Sequence, residues 1–146
     1  MGTFRGYRCS ICGQEYDDHE VTYTCPQDGG NLDVLLDETQ INAETNPAEI
    51  MVSRDESIWR CLPLLPVGDP GHTGTPLRAV GWTPLFKPER LAVRLGLHDL
   101  WIKDDGRNPT ASFKDRASAV VVVRAEQIDA QVVITASTGN AGAALA

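Results

Sequence analysis

Positive charge is in short supply in this chain. Thirteen Lys and Arg face 20 Asp and Glu, a net charge of -7 over 146 residues. Surfaces that bind nucleic acid or anionic membranes need clustered cations, so the balance argues against both as general partners. No basic-then-apolar leader opens the sequence, and no apolar run approaches membrane-spanning length. The longest run near the end, "ASAVVVV", is stopped by Arg124. A soluble, cytoplasmic protein is the expectation. Internal repeats and low-complexity tracts are also missing. Aromatic residues are few at 6%, yet 42% hydrophobic and 23% charged residues make an ordinary globular composition. The length suits one modest domain, or a small module plus part of a larger one.

Cysteine is the next scarcity, with four in all. Cys9 and Cys12 form a C-x-x-C pair, which without a secretion signal favours metal or redox chemistry over disulfides. The pair lies in a short, polar, turn-rich stretch ending near residue 36. There "VTYT" (21–24) and "LDVLL" (32–36) read as strands and "QDGG" (27–30) as a turn. Residues 37–74 form a connector, with helical character around "PAEIMVSRDESIWR". Five prolines, at 63, 66, 70, 76 and 84, make the segment 59–84 mostly extended loop.

Beyond residue 85 the pattern changes. "KPERLAVRLGL" has helical spacing, with Pro88 near its start and Gly96 near its end. "DLWIK" is a short apolar strand, residues 113–126 are a helix, and "QVVITA" (131–136) is a β-branched run suited to a buried parallel strand. "STGNAGAALA" turns into a further helix. Such alternation is that of an α/β layer with a parallel sheet. Because two strands cannot make such a sheet alone, the chain is expected to be a fragment or to take its missing half from elsewhere.

Two short stretches suggest chemistry. In "NPTASFKDRAS" (108–118), Thr110 and Ser112 are good caps, and Ser112 and Asp115 have capping-box spacing. Lys114 therefore falls in the first turn, where the helix dipole disfavours a cation. That position, with Phe113 as an apolar neighbour, favours the neutral, nucleophilic amine that condenses with a carbonyl. The alternative is a solvated lysine reaching away from the helix end. Asp115 and Arg116 are read as anchoring the loop through an ion pair. In "ASTGNAG" (136–142), a strand-to-helix turn offers backbone N–H groups to an anion, or is simply a capped turn. Gly139 permits close approach, and Ser137, Thr138 and Asn140 add side-chain donors. The turn is neither a Walker loop nor a dinucleotide fingerprint.

Taken together, "NPTASFKDRAS" and "ASTGNAG" about twenty residues later resemble the pyridoxal-phosphate enzymes of the tryptophan-synthase-β fold type, threonine synthases above all. The resemblance runs through "GWTPL" (81–85), "LAVRLGLHDLWIKDDGRNPTASFKDRAS" and "STGNAGAALA", nearly everything after residue 75. It implies an α/β fold: the N-terminal part of a fold-type II parallel-sheet domain (75–146), preceded by a zinc-ribbon-like β module (1–36). It implies Lys114 as the lysine bound to the cofactor and the proton shuttle. Asn140 would contact the cofactor's 3′ oxygen, and Ser137, Thr138, Gly139, Asn140 and Ala141 would grip the substrate carboxylate. The family reaction converts O-phospho-L-homoserine and water to L-threonine and phosphate. The sequence departs from the family in "PTAS", where "PTGS" is common. Sibling chemistries are a threonine or serine dehydratase and a cysteate-synthase-like β-replacement; a non-catalytic truncated product is the rival from another class. The glycine-rich loop for the cofactor phosphate and the residue facing the pyridine nitrogen lie downstream in family members. The 146 residues alone are therefore expected to bind the cofactor weakly, and homo-oligomerisation to await a full-length chain.

Family members often begin with a zinc ribbon closed by C-P-x-C-G-G, whereas "CPQDGG" puts Asp28 at the fourth position. Cys9, Cys12, Cys25 and Asp28 are thus the candidate zinc ligands. His19 is the alternative fourth ligand, and a ribbon that folds without metal the alternative to both. The acidic "EYDDHE" argues against nucleic-acid binding. Cys61 reads as a buried or unpaired thiol, and Trp59, Trp82 and Trp101 as packing residues, with Trp82 near the substrate mouth at Thr83. His72 and His98 receive no role.

Overall fold

In the computed structural model, residues 3–21, 23–71 and 73–146 are described. They divide into two compact units. The first holds Met1–Asp55, Trp59–Gly71 and Val120–Val133, and the second Glu56–Ile58, His72–Ala119 and Ile134–Ala146.

A three-stranded antiparallel sheet organises the first unit. Strand β1 (Phe4–Cys9) lies between β2 (Glu15–Tyr16) and β3 (Leu32–Leu36), in the order β2-β1-β3. The register sets Tyr7 against Tyr16 on one side and Val34 on the other. Gly6 is required where β1 is irregular: its φ is 132°, and a Cβ would fall 2.2 Å from the Tyr16 carbonyl oxygen. "LDVLL" forms the expected strand, but "VTYT" does not. Residues 23 and 24 bend, Val21 is buried outside any ladder, and Thr22 lies outside the described residues. The partner of β1 on that side is supplied earlier, by the Glu15–Tyr16 pair.

Two short helices follow, α1 (Glu38–Glu44) and α2 (Pro47–Val52). Both are opened by side-chain caps: Asp37 accepts from the Gln40 N–H and Asn46 from the Ala48 N–H. The proline-rich segment runs through 3-10 turns at Ile58–Leu64 and Pro76–Ala79. Trp59 and Val67 are core residues of the first unit, with Cys9, Cys25 and Val123. Arg124 stacks on the Phe4 ring, 5.1 Å from its centroid, and bonds the Asp18 carbonyl and carboxylate.

In the second unit, β4 (Leu85–Phe86) pairs with β5 (Ile102–Lys103) around helix α3 (Glu89–Leu95). Pro88 is the N-cap of α3. Gly96 closes it at φ 66°, donating its N–H to the carbonyls of Ala92 and Val93. Helix α5 (Asn140–Leu145) belongs to this unit too, while helix α4 (Lys114–Gln127) is divided, Lys114–Ala119 here and Val120–Gln127 in the first unit. The valine run of α4 is helical despite its β-branching, with Ala119 and Val123 buried.

The architecture is mixed α/β, but the expected parallel sheet is not formed among the described residues. The pairings there are antiparallel, and "QVVITA" joins no ladder. Val132, Val133 and Ile134 are 73%, 44% and 89% exposed. A parallel strand is stabilised by neighbours that cover both faces, and among the described residues no strand pairs with this run. Among the described residues no helix is long and apolar enough to cross a membrane.

Candidate functional site

The loop leading into α4 is held at several points. Asn108 is buried, and its Oδ1 accepts the Gly81 N–H at 3.0 Å while its Nδ2 donates to the Asp105 carbonyl at 3.0 Å. Arg116 grips the Asp105 carboxylate, with Nε and an Nη each 2.9 Å from an oxygen. Thr83 adds its hydroxyl to the same carboxylate at 2.5 Å. The bonds from Arg116, then from Thr83, outweigh burial and hold the Asp105 carboxyl down at about 2. "GWTPL", "KDDGRNP" and "FKDR" are thereby tied into one scaffold.

The helix start differs from a capping box. Ser112 Oγ accepts from the Lys114 N–H at 3.2 Å. The buried Asp115 carboxylate instead reaches back to Thr110, taking its N–H at 2.8 Å and its hydroxyl. Ala111, at φ 57°, makes the turn that brings Thr110 over Asp115. The anchoring ion pair also differs: Arg116 pairs with Asp105, while Asp115 serves Thr110. Lys114 stands exposed at the head of α4, its Nζ 4.8 Å from the Phe113 ring centroid.

The "ASTGNAG" turn belongs to the same unit as Lys114. Ser137 Oγ accepts the Gly139 N–H at 3.1 Å and donates to the Gly139 carbonyl at 3.3 Å. Gly139 precedes α5 without a side-chain cap. Ser137, Thr138, Gly139 and Asn140 are exposed and Ala141 half-buried, so the turn is open to a ligand.

Residues 77–146 match the family model described as "Pyridoxal-phosphate dependent enzyme". Over 139 residues, 95% of the chain, the sequence is 40% identical to a threonine synthase of Methanocaldococcus jannaschii and 41% to one of Methanosarcina acetivorans. The chain is a relative of the threonine synthases. It spans 33% of the length of each of these two. A cysteine synthase B of Salmonella typhimurium is 41% identical over 73 residues, 47% of the chain and 24% of that protein. No solved structure matches.

The N-terminal module brings its four candidate ligands together. The ligand atoms of Cys9, Cys12, Cys25 and Asp28 all lie within 4.8 Å of one another. Two like turns present them. In each, the first residue's carbonyl accepts the N–H of a glycine four residues on, Gly13 at 3.0 Å and Gly29 at 2.9 Å. Both glycines have positive φ, 74° and 71°. Asp28 is therefore the positional counterpart of Cys12. Gly30 must stay small, since a Cβ there would lie 2.7 Å from Cys9 Sγ. His19 is not part of the set; it is exposed and bonds Asp18 at 3.1 Å.

Tetrahedral zinc, with Zn–S of about 2.3 Å and Zn–O of about 2.0 Å, separates two sulfurs by about 3.8 Å and sulfur from oxygen by about 3.5 Å. Here Cys12 Sγ and Cys25 Sγ are 3.7 Å apart, and Cys9 Sγ is 3.3 and 3.6 Å from the Asp28 oxygens. These two pair separations suit a zinc-sized ion. The Gly30 N–H, then the Cys12 thiol, lower the Asp28 carboxyl to about 2. A backbone bond from Gln14 lowers the Cys12 pKa, but desolvation and the crowding of Asp28, Cys9 and Cys25 outweigh it and push it up to about 12. Desolvation opposes ionisation of Cys25, yet the Tyr16 hydroxyl and the backbone at Gln27 and Asp28 lower its pKa.

Cys61 is a half-buried free thiol. Trp59 packs as expected, whereas Trp82 and Trp101 are more than half exposed, Trp101 lying under the Lys87 ammonium at 4.6 Å. His98 is exposed, and His72 lies outside the described residues. Sequence reasoning missed Thr83, Asp105 and Asn108 as scaffold residues, since the Gly81–Asn108, Thr83–Asp105 and Asp105–Arg116 partners lie 27, 22 and 11 positions apart.

Proposed function

We propose that this chain contributes the lysine-bearing part of a threonine synthase, which converts O-phospho-L-homoserine and water to L-threonine and phosphate. The observation that carries this reading is the reach of the similarity. Identity to the Methanocaldococcus jannaschii and Methanosarcina acetivorans threonine synthases extends over 95% of the chain, N-terminal module included, whereas the cysteine synthase B match stops at 47%.

When bound, pyridoxal phosphate supplies an electron sink for chemistry on the substrate carbons. The residues present suit it. Lys114 offers an exposed amine, on a helix start clamped by Thr110–Asp115 and Arg116–Asp105, as the covalent anchor and later as the group that moves protons. Asn140 faces the cofactor's 3′ oxygen in this reading. Ser137, Thr138, Gly139, Asn140 and Ala141 take the substrate carboxylate with hydroxyl and N–H donors. Cys9, Cys12, Cys25 and Asp28 hold a structural zinc ion in a ribbon apart from the chemistry, and fold-type II strands from the rest of the enzyme flank residues 131–136.

The test is a chimera in which residues 1–146 replace the matching third of the Methanocaldococcus jannaschii threonine synthase. It should release phosphate from O-phospho-L-homoserine, and Lys114→Ala should abolish that release together with the cofactor's visible absorbance. Keto acid from threonine, or cysteine from an activated serine and sulfide, with no phosphate release, would move the chain to a sibling chemistry.

A further inference from the structure

We infer that Tyr16 is the residue that positions and electronically tunes the metal centre of the N-terminal module, by donating its hydroxyl hydrogen to the Cys25 thiolate. The inference rests on the reading of Cys9, Cys12, Cys25 and Asp28 as metal ligands. The Tyr16 oxygen stands 3.1 Å from Cys25 Sγ. Once a metal binds, Cys25 is a thiolate with no proton, so only the phenol can donate.

The charge of the site explains why a donor is needed there. Three thiolates and a carboxylate around a divalent ion leave a net charge of minus two. Backbone N–H groups offset part of that charge: Cys9 Sγ accepts those of Ile11 at 3.3 Å and Cys12 at 3.5 Å, Asp28 accepts that of Gly30 at 2.8 Å, and the backbone of Gln27 and Asp28 bonds Cys25. Nearby Arg8 spends its guanidinium on Glu15. Of these donors to the ligands, Tyr16 alone is a side chain. Strand β2 fixes it, pairing Tyr16 with Tyr7 of β1, so the hydroxyl reaches the cluster from a rigid element. Outer-shell partners of this kind orient a ligand and set its basicity.

The experiment is cobalt(II) titration of the 146-residue chain and of Tyr16→Phe, with zinc competition against a chromophoric chelator. The wild type should show cysteine-to-cobalt charge-transfer bands and tetrahedral visible bands. Tyr16→Phe keeps the ring and should still bind, with affinity weakened about tenfold or more. Its charge-transfer band should move to lower energy, because the sulfur electrons lose a hydrogen bond that stabilised them. On the wild-type protein loaded with cadmium-113, a scalar coupling between the metal and the Tyr16 hydroxyl proton reports the bond without any substitution. No charge-transfer band in the wild type would overturn the metal-site reading itself. A wild type that binds, with no cadmium coupling to Tyr16 or with Tyr16→Phe unchanged in affinity and band energy, would overturn the role of Tyr16 alone.

Discussion

Arg116 holds Asp105 at two points, with an N–H on each carboxylate oxygen at 2.9 Å. The pair fixes the loop before Lys114 to the first turn of α4. Its pH dependence follows from the sign of the shift. Asp105 is held at about 2 against an ordinary 3.8, so the native state favours the ionised form. The stabilisation is fully present above the ordinary value and is lost as pH falls from about 4 through about 2. With Asp105 about one quarter exposed, the contribution is on the order of 1 kcal/mol. Urea midpoints between pH 5 and 2 should fall, and Asp105→Asn should flatten that part of the fall. Arg116→Lys should lose most of the effect, since an ammonium cannot make the two-point contact.

Asn108 bridges two motifs that are distant in sequence. In Asn108→Ala the Gly81 N–H, buried in the same unit, loses its acceptor at a cost of about 1–3 kcal/mol. Gly81 cannot compensate by taking a side chain, because at φ 114° a Cβ would sit 2.6 Å from the Ile58 nitrogen. Denaturation should show the loss, and hydrogen exchange at the Gly81 amide should accelerate. Unchanged exchange there would show that the amide finds another acceptor.

What could be read from the sequence divides along range. Helix α3 was legible because Pro88 and Gly96 act within a turn of where they stand. Helix α4 begins at Lys114 rather than Phe113 and ends at Gln127 rather than Glu126, for the same reason. The four ligand candidates were legible because i, i+3 spacing on a tight turn is local geometry. Asp28 was preferred over His19 through the resemblance of "CPQDGG" to C-P-x-C-G-G, and the fold shows what separates the two: the second turn copies the first, while His19 bonds Asp18. Long-range polar pairings such as Gly81–Asn108 and Thr83–Asp105–Arg116 leave no periodic trace. The β-branched run at 131–136 signals a strand, but whether it pairs depends on neighbours that its own residues do not specify.

Ala111 occupies a left-handed conformation, φ 57°, that suits glycine. It is exposed, so replacing its methyl group sacrifices no core packing. Relief of the left-handed strain, about 1–2 kcal/mol, is partly offset by the greater freedom of glycine in the unfolded chain. Ala111→Gly should raise stability by about 0.5–1 kcal/mol, and Ala111→Val should lower it, by denaturant midpoint. A destabilised Ala111→Gly would mean that the Thr110–Asp115 clamp needs the rigidity of alanine.

Asp28 matches Cys12 in position, and in the proposed metal site its carboxylate takes the place of a fourth sulfur. Zinc prefers sulfur and nitrogen in structural sites, and a thiolate at position 28 reaches the same centre from the same turn. Asp28→Cys should therefore bind zinc more tightly, by about tenfold or more on the scale that changes to the ligand shell produce. Asp28→Ala should bind more weakly than the wild type. Because binding energy adds to folding energy, a chelator should lower the melting temperature of wild type and Asp28→Cys, with the larger drop in the latter. Competition with a chromophoric chelator gives the affinities directly. If Asp28→Ala bound zinc as tightly as wild type, the fourth position would belong to water or another residue, and the three cysteines alone would hold the ion.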